Sequence, residues 1–170
     1  MSGIWLRALT LLLWGCVWAA GVGMTPGWAA ELGSPVYFET RYADVYYTDG
    51  KALGDFLWRI SGRRFYPAED NAEAVSSVDY LVDRVQSILD MRPDPFKFRV
   101  DVLSGYTKGD IAAYLPNGRS IKVYADRVTD GVFAHEVAHA VMDQYFESAL
   151  PRKVQEILAQ YVDRHLWEDY

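Results

Sequence analysis

Apolar residues recur with two different periods along this chain, and the change of period marks the predicted elements. Between residues 71 and 91, apolar side chains repeat at spacings of three and four, which places them on one face of a helix. The members of this stripe are Val75, Val78, Val82, Val85 and Leu89. Residues 96–103 instead alternate apolar and polar positions, which is typical of a strand with one buried face.

Shorter segments supply the remaining predicted elements. Residues 36–47 are rich in aromatic and β-branched side chains and predict one or two strands, and residues 53–60 predict a short helix. Residues 111–115 and 121–124 predict two further strands, and the Asn117-Gly118 pair between them is the strongest short-range hairpin signal.

The last forty residues predict two helices. Thr129 or Asp130 can cap a helix that runs to about Phe146. Pro151 suits the first turn of a final helix that runs to about Trp167, because the N–H that proline lacks is not needed there. Strands, a helix, three strands and two helices in this order predict an α+β fold.

The N-terminal residues differ from the rest of the chain. Arg7 is the only charged side chain among the first thirty residues, and residues 8–22 are almost wholly apolar before small residues follow. This pattern is typical of a secretory signal peptide. We therefore predict a signal peptide at residues 1–29, cleaved after Ala29 or, as a second option, after Ala19. The protein is then exported, to the periplasm or the extracellular space.

Two alternatives would leave the chain attached to a membrane. The apolar run could remain as an uncleaved anchor, although it is short for a span of roughly 20 residues. Cys16 lies in a sequence that faintly resembles a bacterial lipobox, so lipidation there is a second route. We expect no other membrane association.

Charge and cysteine content narrow the function classes. The formal net charge of −6 argues against a nucleic-acid partner, which would require a basic face. Residues 30–170 have the length of one domain. Cys16 is the only cysteine, so cleavage of the leader removes every thiol and excludes both disulfides and a cysteine-ligated zinc site. Any metal must then be held by His, Asp and Glu.

The stretch that carries chemistry is His135-Glu136-Val137-Ala138-His139. Histidines four residues apart on a helix lie on one face, where two neutral imidazoles can bind a single zinc ion. Glu136 points about 100° around the helix from His135, so its carboxylate can act on a nearby water without ligating the metal. This spacing predicts two ligands and a general base within one helical turn.

A third ligand is needed for a catalytic zinc site. The extension found in metzincins requires Gly and His where this chain has Met142 and Tyr145, so that class is excluded. Asp143 lies one further turn along the helix, and its short side chain is expected on the surface or hydrogen-bonded nearby. Glu156 is the better candidate, because it lies in an apolar setting on the next helix, where a bare carboxylate is costly.

Together with Glu156-Ile157-Leu158-Ala159-Gln160-Tyr161, the histidine motif resembles the gluzincin metallopeptidases, especially the peptidase MA-like group. The resemblance implies His135, His139 and Glu156 as metal ligands. It implies Glu136 as the general base, and Tyr161 as a candidate to stabilise the oxyanion. His165 and Tyr145 are alternative candidates for that last role. The implied fold is a minimal zincin-like domain, in which a small, mostly antiparallel sheet packs on an active-site helix and a C-terminal helix that bears the Glu ligand.

The chain departs from that family pattern at two positions. Ile157 stands where the family usually has Gly, which is expected to leave less room near the metal. Gln160 stands where thermolysin-like enzymes have an Asp that orients a ligand histidine. Gln160 could still accept a hydrogen bond from His135 or His139, as a weaker, neutral orienting group.

The resemblance implies an exported zinc-dependent metallopeptidase that hydrolyses peptide bonds with a metal-activated water. Its partner would be a peptide or protein substrate, bound along an exposed edge strand at residues 111–115 by β-augmentation. Two alternatives remain open. One is a zinc-stabilised, catalytically inactive envelope protein with a binding or scaffold role, and the other is an envelope protein whose motif is coincidental.

Overall fold

The computed structural model describes residues 36–47, 49–61 and 71–168, and within them the chain is an α+β fold with four helices and a five-stranded sheet. The N-terminal half provides β1 (Val36–Glu39), β2 (Ala43–Tyr47), α1 (Gly50–Ile60) and α2 (Asn71–Leu89). The C-terminal half provides β3 (Phe98–Leu103), β4 (Ala112–Leu115), β5 (Ser120–Tyr124), α3 (Asp130–Tyr145) and α4 (Arg152–His165).

The sheet is evenly mixed, which corrects the prediction of a mostly antiparallel sheet. Its order is β1-β2-β3-β5-β4, with β1/β2 and β4/β5 antiparallel and with β2/β3 and β3/β5 parallel. The chain crosses from β2 to β3 through α1 and α2, and a crossover of this length joins parallel strands. The hairpin signal fixes only the β4/β5 pair, and it does not reveal that β5 inserts between β3 and β4.

Alternation along the central strands separates a helix-covered face from an open face. In β3, Phe98, Val100 and Val102 are buried, whereas Arg99 between them is exposed. The predicted stripe of α2 is confirmed where it meets this core, since Val78, Val82 and Val85 are fully buried. α1 and α3 lie on the apolar face of the sheet, and α2 packs against both of these helices.

The predicted ends of the C-terminal elements are close to those in the structure. Thr129 is the N-cap of α3, and its side-chain oxygen accepts the Val132 N–H at 3.2 Å. Pro151 lies immediately before α4. The β4–β5 hairpin is confirmed, with a short 3₁₀ turn at Pro116–Gly118, and the left-handed backbone position falls on Arg119.

The predicted signal peptide and Cys16 lie outside the described residues. Across the described ranges, no helix is both long and apolar enough to traverse a bilayer.

Candidate metal centre

Helix α3 carries the first two predicted ligands, His135 and His139, and its opposite face is buried in the core. Phe133, Val137 and Val141 on α3 are fully buried, and the Phe133 ring meets the Phe56 ring of α1 edge to face at a centroid distance of 5.1 Å. His135 and His139 occupy the remaining face and are partly exposed. Because the buried face fixes the rotation of α3, both imidazoles are held toward α4.

The third predicted ligand reaches the same point from α4, which folds back against α3 after residues 146–151. The Nε2 atoms of His135 and His139 lie 3.3 Å apart. The Oε2 atom of Glu156 lies 3.5 Å from Nε2 of His135 and 3.9 Å from Nε2 of His139. Within the described ranges, these three residues form a group that could hold a metal ion.

The donor atoms fit a zinc ion by their chemistry and by their separations. Two ligand atoms that each lie about 2 Å from one tetrahedral zinc ion are about 3.3 Å apart. The observed separations run from 3.3 to 3.9 Å, so a small closing of Glu156 onto the histidines would complete the set. Two imidazoles and one carboxylate are a usual set of protein ligands in a catalytic zinc site. Such a site also keeps one coordination position open for water or substrate.

The environment of His139 favours the neutral form that a metal requires. Burial lowers the pKa of His139, and the nearby His135 ring lowers it further, while Glu156 acts in the opposite direction. The side chain of His139 is only 13% exposed, compared with 39% for Glu156. The cluster is therefore closed on the α3 side and open to solvent on the α4 side.

Glu136 lies beside the cluster without joining it. Burial raises the pKa of Glu136, whereas a hydrogen bond from the backbone N–H of Tyr114 to its Oε2, at 2.7 Å, lowers it. Burial is the larger cause, and the pKa of Glu136 lies above its ordinary value. A carboxyl group with a raised pKa next to three potential metal ligands is suited to general-base chemistry.

Asp143 behaves as expected for a residue that does not ligate the metal. Its Oδ2 atom accepts a hydrogen bond from the Tyr114 hydroxyl at 2.8 Å. Tyr114 therefore contacts α3 twice, through its backbone at Glu136 and through its side chain at Asp143. The sequence analysis does not reveal either contact, because each joins residues that are more than 20 positions apart.

Gln155, rather than Gln160, is the amide side chain at the cluster. Gln155 lies beside the His139 ring, and its side chain raises the pKa of His139 against the larger effect of burial. Its Nε2 donates to the carbonyl of Leu150 at 2.7 Å, which fixes the orientation of the amide. Gln160 is exposed, and no hydrogen bond within the described residues joins it to either histidine. A polar residue directly before the third ligand is the sequence signal that could have identified Gln155.

The structure does not bring the candidate oxyanion residues into the cluster. Tyr161 lies five residues after Glu156, about 140° around the helix. Its side chain is 42% exposed, and its ring packs on His165 at a centroid distance of 4.2 Å. His165 bonds Glu168, and Tyr145 is exposed beside Phe146. The oxyanion role of Tyr161 stays a prediction that this placement does not support.

Ile157 does not narrow the site as its sequence position suggested. It is 57% exposed and lies about 100° around α4 from Glu156. The branched side chain therefore extends into solvent and leaves the space beside the three ligand atoms open.

Comparison with known proteins identifies no relative: the chain matches no protein-family model, no curated protein and no solved structure.

Proposed function

We propose that this protein is an exported zinc-dependent metallopeptidase of minimal gluzincin type, with a zincin-like domain. The observation that carries the proposal is the convergence of His135 Nε2, His139 Nε2 and Glu156 Oε2 within 3.9 Å, beside a partly buried carboxylate, Glu136, that takes no part in the cluster. Ligands alone would suit a structural metal. The separate, adjacent Glu136 favours hydrolysis, because a base beside the metal is needed to activate water.

Glu136 is the residue that moves protons in the proposed reaction. A zinc ion bound by the three ligands would act as a Lewis acid on the scissile carbonyl and lower the pKa of a water. Glu136 would take the proton of that water and deliver it to the leaving amine. Its Oε2 is held by Tyr114, and within the described residues Oε1 has no hydrogen-bond partner and is available for this transfer.

Edge strand β4 supports a peptide as the substrate. Tyr124 N–H bonds to the Ile111 carbonyl, and the register pairs Ala113 with Lys122. In an antiparallel pair the intervening residues point their backbone groups outward. The N–H and C=O of Ala112 therefore point away from β5, two residues before the Tyr114 N–H that reaches Glu136. An extended polypeptide could add there as a further strand.

The first test is the metal content of the purified protein and of three variants. The wild type should hold about one zinc per chain, in line with a three-ligand site. His139→Ala and Glu156→Ala should each lose it, whereas Glu147→Ala, which alters an exposed carboxylate on the α3–α4 connection, should keep it. Absence of zinc from the wild type after refolding with zinc would contradict the proposal.

The second test separates catalysis from metal binding. Glu136→Gln should retain zinc and lose about a hundredfold or more of the hydrolysis rate on an unfolded polypeptide substrate. An unchanged rate would show that Glu136 is not the base. Stoichiometric zinc in a wild type that hydrolyses no unfolded polypeptide would instead identify the zinc-stabilised, catalytically inactive binding or scaffold protein.

A further inference from the structure

We propose that Tyr114 is a positioning residue for Glu136, and that Asp143 holds Tyr114 in that position. This inference rests on the proposed function, because it assigns how the general base of that reaction is oriented. Its basis is that Tyr114, on edge strand β4, hydrogen-bonds to α3 through both its backbone N–H and its side-chain hydroxyl.

The backbone end of this connection follows from the register of the sheet. Tyr114 is opposite Ile121 on β5, between residue pairs that exchange hydrogen bonds, so its N–H points away from β5. That N–H donates to Glu136 Oε2 at 2.7 Å. An outward N–H on an edge strand would otherwise be satisfied by solvent or by another strand. Here it fixes one carboxylate oxygen and leaves the other for the reaction.

The side-chain end of the connection is anchored two helical turns away. Asp143 lies seven residues after Glu136, which returns it to within about 20° of the same face of α3. The Tyr114 hydroxyl donates to Asp143 Oδ2 at 2.8 Å. Tyr114 thus bridges about 10 Å of the helix surface. It clamps β4 onto α3 at the level of the base.

The clamp matters because no strand of the described sheet pairs with the outer side of β4, which packs on α3 instead. As the edge strand of the described sheet it is paired only with β5, and of its four residues only Ala112 is buried. Loss of the Tyr114–Asp143 bond would let the strand shift relative to α3 and release Glu136 Oε2. Displacement of a catalytic group by about 1 Å can cost up to a hundredfold in rate.

The kinetic test uses the zinc-loaded protein and an unfolded fluorogenic polypeptide. Tyr114→Phe and Asp143→Ala should each lower kcat about tenfold with little change in KM and with unchanged zinc content. The double variant should be no slower than either single one, since both remove the same bond. Asp143→Asn, whose amide oxygen can still accept the hydroxyl, should recover most of the kcat that Asp143→Ala loses.

Tyr106→Phe is the matched control, because it also removes one tyrosine hydroxyl group. The Tyr106 hydroxyl donates to the Gly109 carbonyl at 2.7 Å, within the loop before β4, and makes no hydrogen bond to α3 in the described residues. Its removal should leave kcat unchanged. Wild-type kcat in Tyr114→Phe, or equal losses in Tyr106→Phe and Tyr114→Phe, would overturn the positioning role.

Amide hydrogen exchange tests the clamp without turnover. The backbone amide of residue 114 should exchange about tenfold faster in Tyr114→Phe, Asp143→Ala and Glu136→Ala. Each variant should release the hydrogen bond from this amide to residue 136. The Ala113 amide, which pairs with β5, should be unaffected. Unchanged Tyr114 exchange in all three variants would overturn the clamp. A wild type that hydrolyses nothing, yet shows the expected exchange pattern, would refute the proposed function and leave the clamp intact.

Discussion

The two helices that supply the candidate metal ligands are anchored to very different degrees. Eight of the 16 residues of α3 are buried, whereas α4 buries two of its 14, Ala159 and Val162. Apolar burial is the main source of local stability, so α3 should open only with the whole domain while α4 can open separately. Two ligands are therefore built into the core, and the third is carried by a lightly held element.

The two ends of α4 also differ. Beyond its C-terminal end, the Arg84 guanidinium of α2 donates to the carbonyl of Leu166 at 3.0 Å and to that of Glu168 at 2.6 Å, and Leu166 itself is buried. Glu156 lies in the N-terminal half, where the neighbouring Val154 and Ile157 are exposed. A metal bound by Glu156 would thus fasten the end of α4 that the apolar core leaves loose.

The largest expected effect is a truncation on the buried face of α3. Phe133→Ala should lower the free energy of unfolding by roughly 3–5 kcal/mol, because it empties a fully buried aromatic site that packs on Phe56. Urea denaturation of the metal-free protein measures it. Ile157→Ala, on the exposed face of α4, should change stability by no more than about 0.5 kcal/mol. Similar losses in the two variants would contradict the contrast between the helices.

The next effect is the removal of zinc. At free zinc about a hundredfold above the dissociation constant, the bound metal should add about 2.7 kcal/mol to the free energy of unfolding. Chelation should also raise amide exchange around Glu156 much more than in the core of α3. Equal loss of protection in both helices would show that the metal stabilises the domain as a whole and does not selectively fasten α4.

The same contrast explains which parts of the site were predictable from the sequence. His135 and His139 are four residues apart on one helix, so local geometry alone brings them together. The stripe of α2 and the β4–β5 hairpin are likewise local patterns, and the structure confirms them. The position of Glu156 followed from an expected helix pair and from the resemblance to a family.

Features that depend on how distant segments meet could not be read in this way. The parallel pairing of β3 with β5 is set by strand order, which no local pattern encodes. The contact between Tyr114 N–H and Glu136 joins residues 22 positions apart through one backbone group, which has no sequence signature. Expectations for Gln160 and Ile157 were transferred from a family pattern, and the rotation of α4 places both side chains toward solvent.

The stability of the metal-free protein should depend on pH through His139, the more buried of the ligands that Glu156 faces. Burial lowers the pKa of His139 below its ordinary value of 6.5, so in the metal-free chain the unfolded state takes up the proton first. Stability should therefore fall as the pH drops through about 6.5 and level off below the folded pKa. Denaturation of His139→Gln across the same range should show a flatter dependence. An equally steep slope in that variant would assign the effect to other groups.

The smallest expected change in the free energy of unfolding concerns the contact between Gly131 of α3 and Asp163 of α4. A Cβ on Gly131, in the first turn of α3, would lie 2.0 Å from Asp163 Oδ1 of α4. Gly50, in the first turn of α1, has nothing within 4 Å of such a Cβ. Alanine is favoured over glycine in helices by up to about 1 kcal/mol, so Gly50→Ala should stabilise the protein. Gly131→Ala should fall short of that gain by about 0.5 kcal/mol, because the exposed Asp163 side chain must rotate away from the added Cβ.

The double variant Gly131→Ala/Asp163→Ala completes this comparison by thermal or urea denaturation. Without the Asp163 carboxylate, alanine at position 131 should stabilise the helix as alanine does at position 50. The effects of the two substitutions on the free energy of unfolding should therefore not add. If Gly131→Ala alone stabilised the protein as much as Gly50→Ala, Asp163 would be leaving α3 at no cost. The contact between Gly131 and Asp163 would then place no constraint on residue 131, and the C-terminal end of α4 would depend on Arg84 and the buried Leu166 alone.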